Sequence, residues 1–222
     1  TYNNSLAQPV DAGNYMVKVD IIDNNYYGHA DTLLTINKAN VNITFDQLVQ
    51  TYDGNSKSVS VTLSQNVAYS ITYNGSTTLP INSGDYMVVV SVNTNNYAAI
   101  DSAIFTINKA HAYFTITDLN FVYDGQTHQP TITVVPTTNY IVKYNGQLTL
   151  PQNVGIYKRE ILINDTNITG DTTFVFEITN ATAHIEYYDT IHVYDGNVKQ
   201  ISLINPDNVN CIIEYKQNGN IV

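Results

Sequence analysis

The chain has 222 residues, of which 43% are hydrophobic and only 13% charged, with 19 acidic against 9 basic residues and a net charge of −10. That balance argues against nucleic acid or anionic membrane as the main partner, because both demand clustered Lys and Arg, and no apolar run is long enough to insert in a bilayer as a helix. Abundant Thr, Val and Ile with 18 Tyr describe a strand-forming chain, not a disordered one.

Taken in order, the predicted elements recur every 71 residues. Residues 1–39 carry Asp11-Ala12-Gly13-Asn14-Tyr15 ahead of an apolar strand and a loop rich in Asp and Asn. Residues 40–110 form a complete copy. Short strands are predicted at Val41–Phe45 and Val49–Tyr52, with a turn at Tyr52-Asp53-Gly54. Strictly alternating residues follow at Ser58–Leu63 and again at Tyr69–Tyr73, as half-buried strands require. A second turn, Asn74-Gly75, leads to Asn82-Ser83-Gly84-Asp85-Tyr86. A long strand to Val92, covered on much of both faces, and a closing strand Ile104–Asn108 complete the copy.

Residues 111–181 repeat the plan, with Tyr123-Asp124-Gly125, a strand Tyr140–Tyr144, and Asn153-Val154-Gly155-Ile156-Tyr157. Residues 182–222 begin it again, through Tyr194-Asp195-Gly196. Thus 1–39 match the later part of a copy and 182–222 the earlier part. The expectation is a stretch of a longer array, and a domain boundary lying mid-repeat is the alternative. A fixed period of this size marks a repeat architecture.

No window shows helical i, i+3, i+4, i+7 spacing. The fold class read from this is all-β, a tandem series of small immunoglobulin-like β-sandwiches of 71 residues. A β-grasp-like module, which needs a helix, is the alternative. Asp/Asn-x-Gly-x-Tyr before a long strand suggests a tyrosine corner, with Tyr15, Tyr86 and Tyr157 bonding back to the main chain. Gly13, Gly84 and Gly155 sit in the same motif. Gly54, Gly125 and Gly196 read as turn glycines. Tyr52 and Tyr73 are expected at sheet edges with surface hydroxyls. The linker Asn108-Lys109-Ala110-His111 runs straight into the next strand, so a semi-rigid rod is expected.

The sequence Tyr-Asp-Gly, Lys57, an alternating strand, Tyr73-Asn74-Gly75-Ser76, Pro80, Asn-x-Gly-x-Tyr, Asn96-Tyr97 and Phe105-Thr106-Ile107-Asn108-Lys109-Ala110 resembles the MBG/YDG-type repeats of large bacterial surface proteins and adhesins. The third copy departs from it at Asn167-Ile168 and Thr179-Asn180. The resemblance implies a secreted or cell-wall-anchored chain, used as a stalk or adhesion module, with no catalytic residues and no cofactor. Neighbouring repeats of the same chain are the partners it implies first. Host or extracellular glycans and proteins are the alternative.

For that alternative the candidate contact residues are Tyr26, Tyr27, Asn95, Asn96 and Tyr97, which can stack and hydrogen-bond at loop tips. Calcium is weighed for the oxygen-rich stretches Asp20, Asp23, Asn24, Asn25, Asp31 and Asn164, Asp165, Asn167, Asp171. Solvated hairpin loops are the favoured reading, and no metal site is assigned. The five histidines do not recur at aligned positions, and His184 with Glu186 reads as a surface pair in a strand. Cys211 aligns with Tyr69 and Tyr140, a position expected to face inward and keep the thiol buried and inert.

Overall fold

A computed structural model describes residues 1–218 and 220–221. Every regular element among them is a strand. The first, partial repeat contains β1 (Gly13–Asp20) and β2 (His29–Ile36). The second contains β3 (Ala39–Asn40), β4 (Ile43–Asp46), β5 (Val49–Thr51), β6 (Ser60–Leu63), β7 (Ser70–Tyr73), β8 (Gly84–Asn93) and β9 (Tyr97–Asn108). The third contains β10 (Ala110–His111), β11 (Tyr113–Thr117), β12 (Asn120–Val122), β13 (Thr131–Val135), β14 (Tyr140–Tyr144), β15 (Gly155–Ile163), β16 (Ile168–Thr169) and β17 (Thr172–Thr179). Then come β18 (Glu186–Tyr188), β19 (Ser202–Ile204), β20 (Lys216–Gln217) and β21 (Asn220–Ile221). The helix that a β-grasp module needs is missing among the described residues.

These residues cluster into two compact units. The first comprises Thr1–Phe114, Val134–Ile141 and Ile161–Thr172. The second comprises Thr115–Thr133, Val142–Glu160 and the residues from Thr173 on.

In the first unit, the complete repeat lays a two-stranded sheet, β4–β6, beside a five-stranded one. The larger sheet runs β7–β8–β9 antiparallel, and the outer side of β9 is shared by two short strands, both parallel to it. β3 takes the start of β9, pairing Ala39 with Tyr97, and β5 takes its end, pairing Val49 with Thr106. Between them the chain crosses to the second sheet as β4. The core lies between the sheets: Val88 and Val90 from β8, Phe105 and Ile107 from β9, Tyr73 from β7 and the adjoining Val59. Ile43, Phe45 and Val61 of the smaller sheet close over it. Period-2 alternation produces this directly, since Val88, Val90 and Val92 are buried while Met87 on the opposite face is half exposed. From Val88 to Val92 the long strand is covered on much of both faces, fully at Val88, Val90 and Val92 and partly at Val89 and Ser91.

The second unit holds its own core, in which Tyr144, Phe176 and Ile178 pack with Phe121, Val142 and Tyr157. The four-stranded sheet here follows the order β12–β17–β15–β14. Registers recur at the sequence period. Gly13 pairs with Ile36 as Gly84 pairs with Ile107, and Asn120 pairs with Glu177 as Val49 pairs with Thr106.

One core position breaks the pattern. Arg159, aligned with Val17 and the fully buried Val88, is itself only 3% exposed. Its Nη1 donates to the Pro130 carbonyl at 2.7 Å, and its guanidinium lies 5.1 Å from the Tyr144 ring centroid and 5.7 Å from that of Phe174. Aromatic faces and a carbonyl thus stand in for the water that a buried cation loses.

Candidate functional site

Three motifs recur, and each resolves into a local device. In the first, Asp53 Oδ1 accepts the Asn55 N–H at 2.9 Å, and Asp53 Oδ2 receives Lys57 Nζ at 2.6 Å. The same turn places Asp124 against the Gln126 N–H and His128 Nε2, and Asp195 against the Asn197 N–H and Lys199 Nζ. Gly54, Gly125 and Gly196 all adopt φ near +80°, the left-handed region that a side chain disfavours. All three carboxylates are held below the usual aspartate range. For Asp53 and Asp195 the leading cause is the lysine hydrogen bond, and for Asp124 it is the backbone N–H of Gln126. Tyr52 is half buried against the core and Tyr123 39% exposed, whereas Tyr194 is 93% exposed.

In the second device, Asn74 and Gly75 both have positive φ, and Tyr73 and Ser76 exchange two backbone hydrogen bonds across them. This is the type I′ hairpin turn that Asn-Gly favours. Asn74 Oδ1 then accepts the Met87 N–H at 2.8 Å, fastening the turn to β8, and Asn3 and Asn145 do the same for Met16 and Lys158. Tyr73 departs from the expectation of a surface hydroxyl. It is 3% exposed, and its hydroxyl accepts the buried Val59 N–H at 3.2 Å. A Tyr side chain is long enough to cross the core and satisfy an amide that has no strand partner.

The third device is the tyrosine motif. The hydroxyls of Tyr15, Tyr86 and Tyr157 donate to the carbonyls of Asp11, Asn82 and Asn153 at 2.7–2.8 Å. Each bond spans four residues and props up the loop before the long strand. Gly13, Gly84 and Gly155 open the strand that follows that loop, with the tyrosine ring against them.

The candidate ligand-contact residues lie on two strand-to-strand segments, after β1 and after β8. Tyr26 and Tyr27 are exposed on the β1–β2 loop. Asn95 is exposed, but Asn96 and Tyr97 are half buried. The Asn96 side chain is already engaged, its Oδ1 accepting the Ala12 N–H and its Nδ2 donating to Asp11 Oδ1, both at 2.7 Å. Sequence reading missed this use. Its one visible trace was Asn recurring at 25, 96 and 167.

Several carboxylates of the oxygen-rich stretches likewise bond to the chain. Asp23 Oδ1 accepts the Asn25 N–H, and Asp171 Oδ1 accepts the Ile163 N–H. Asp165 accepts the amides of Asn167 and Ile168 and the Thr138 hydroxyl, and these hold its carboxyl below the usual range, the Asn167 N–H first. In the middle copy Asp101 pairs with Val90 inside β9. Among the described residues no three His, Cys, Asp or Glu side chains converge as metal ligands.

His184 and Glu186 pair at 2.9 Å, both well exposed. Cys211 is exposed, contrary to expectation. The aligned Tyr69 and Tyr140 are themselves 46% and 38% exposed. Each lies on the same face as core residues, Ile71 and Tyr73 or Val142 and Tyr144, but at or just before the start of its strand, so sharing the core face does not bury the position.

Set against known families, residues 1–40, 41–111 and 112–182 each match the MBG domain. The chain belongs to the MBG domain family. A search of the curated proteins finds no match. MBG repeats are typical of extracellular surface proteins, which places this chain, coarsely, in a surface-protein repeat region.

Proposed function

We propose that this MBG array is a non-catalytic spacer in the stalk of a large bacterial cell-surface adhesin, secreted or anchored to the wall, holding a distal binding domain away from the surface. The pairing of an early strand with the last one carries this reading. In both complete repeats an early strand runs parallel to the final one, β5 beside β9 and β12 beside β17. Tension applied through the two ends of such a repeat loads these hydrogen bonds in shear, so they must break together and not one at a time. Linkage without slack adds support, because Lys109 alone separates β9 from β10.

Single-molecule stretching of the full chain tests it. Two major unfolding events are expected, each releasing 71 residues, or roughly 230–250 Å of contour less the folded length. Smooth extension without force peaks would overturn the spacer reading.

The alternative, adhesion through Tyr/Asn-rich loops to glycans or host glycoproteins, draws its support from Tyr26 and Tyr27, which are 72% and 97% exposed. A glycan array probed with the full chain separates the two readings. Binding abolished by Tyr27→Ala would favour the adhesion reading.

A further inference from the structure

The tyrosine-cornered loop of one repeat meets the asparagine of the next in the same way twice, and both meetings lie within the first compact unit. At the first, Asn96 Oδ1 accepts the Ala12 N–H and Asn96 Nδ2 donates to Asp11 Oδ1. At the second, Asn167 Oδ1 accepts the Ser83 N–H at 2.8 Å, Asn167 Nδ2 donates to Asn82 Oδ1 at 3.1 Å, and Ser83 Oγ donates to the Thr166 carbonyl at 2.9 Å. Donor and acceptor positions are each displaced by one period of 71. The main chain joins in. Ala39 N–H donates to the Asn96 carbonyl, Ala110 N–H to that of Asn167.

We infer that this pairing is a dedicated inter-repeat joint, in which the Asp/Asn-x-Gly-x-Tyr loop is the receptor and the asparagine at positions 96 and 167 is the matching plug, and that the first loop residue sets which plug it accepts. A backbone N–H can only donate. The Ala12 and Ser83 amides therefore fix the plug's oxygen toward themselves and turn its NH₂ toward the side chain of residue 11 or 82. Asp11 offers only acceptors, so it demands that NH₂. Asn82 carries both an oxygen and an NH₂ and can rotate to serve either partner. Tyr15 and Tyr86 hold the receptor from behind through the carbonyls of residues 11 and 82. This gives the tyrosine motif a purpose beyond the fold of its own repeat. The partner is thus a neighbouring MBG repeat, selected by charge at one position. The joint rests on these contacts and stands whether the array is a spacer or a binder.

Amide hydrogen exchange by NMR on the full chain tests the joint. Ala12 and Ser83 report the two joints, and core amides such as Val90 report folding. In Asn96→Asp, two carboxylates face each other. Ala12 protection is expected to fall at least tenfold while Val90 protection holds. In Asn167→Asp the Asn82 amide turns to donate, and Ser83 protection is expected to stay within threefold. Adding Asp11→Asn to Asn96→Asp supplies the missing donor and is expected to restore Ala12 protection. Equal effects of the two Asp variants, or no rescue in the double variant, would overturn the joint's charge selectivity. Unchanged Ala12 exchange in Asn96→Ala would overturn the joint itself. None of these readouts depends on force or glycan binding, so a failed joint and a failed spacer reading are told apart.

Discussion

Truncating Phe105 to Ala should strongly destabilise one repeat and leave the other unaffected. Phe105 is fully buried between the sheets, with Tyr73 edge-on at 6.0 Å and Tyr86 tilted at 6.3 Å. Removing such a ring costs about 3–5 kcal/mol, counting lost transfer energy and the cavity. A unit of 71 residues holds only about 4–11 kcal/mol of total stability. Its neighbour draws on a different aromatic cluster, built on Phe176 with Phe121, Tyr144 and Tyr157, which does not include Phe105. Urea denaturation followed by amide exchange should show residues of the 40–110 repeat losing protection by about two to four orders of magnitude. Amides of Phe176 and Ile178 should change little. Phe176→Ala should give the mirror result. Equal loss of protection across both repeats in either variant would mean one shared core, and the reasoning from separate modules would fail.

Three further outcomes follow from the recurring devices. Tyr73→Phe removes the acceptor for the buried Val59 N–H and should destabilise its repeat by about 1–3 kcal/mol, measured by chemical denaturation. Gly54→Ala, at φ +84° with open space around the added carbon, pays for backbone conformation alone, about 1–2 kcal/mol, and Gly54→Asn should cost less than Gly54→Ala in the same assay. The carboxylates of Asp53, Asp124 and Asp195 are depressed in the folded state. Their stabilisation is therefore present above the unfolded aspartate range near pH 4 and is lost as pH falls through the lower folded values. NMR titration should place all three midpoints below those of unstructured Asp, and Asp53→Asn should flatten the acid limb of stability for its repeat.

Much of the fold was legible in the sequence, because period-2 alternation and the Asn-Gly and Asp-Gly turns are local signals. The strands at 140–144 and 84–93 appear where the pattern put them. The start of β9 was missed. Tyr97–Ser102 lacks strict apolar–polar alternation, yet β8 runs alongside it and pairs through Asn93–Ala98, so the strand is set by its partner and not by a local pattern. Tyr73 was misplaced because a hydroxyl at the end of a strand looks like a surface group until the amide it serves is known. Cys211 was misplaced because Tyr69 and Tyr140, with which it aligns, share a face with the core yet sit at a strand start and stay exposed. Asn96 and Asn167 recur visibly, but their receptors lie 84 or 85 residues earlier in the chain. No local pattern reveals a bond of that range. Arg159 breaks an apolar column shared with Val17 and Val88.

The central claim is that the chain is a series of autonomous 71-residue modules held by matching joints. Excising one period, residues 41–111, tests it most directly. The shortened chain should fold cooperatively, keep the amide spectrum of the Phe176 core, and protect the Ala12 N–H again, now through Asn167. A chain that emerges unfolded, or folded with Ala12 exchanging freely, would contradict it.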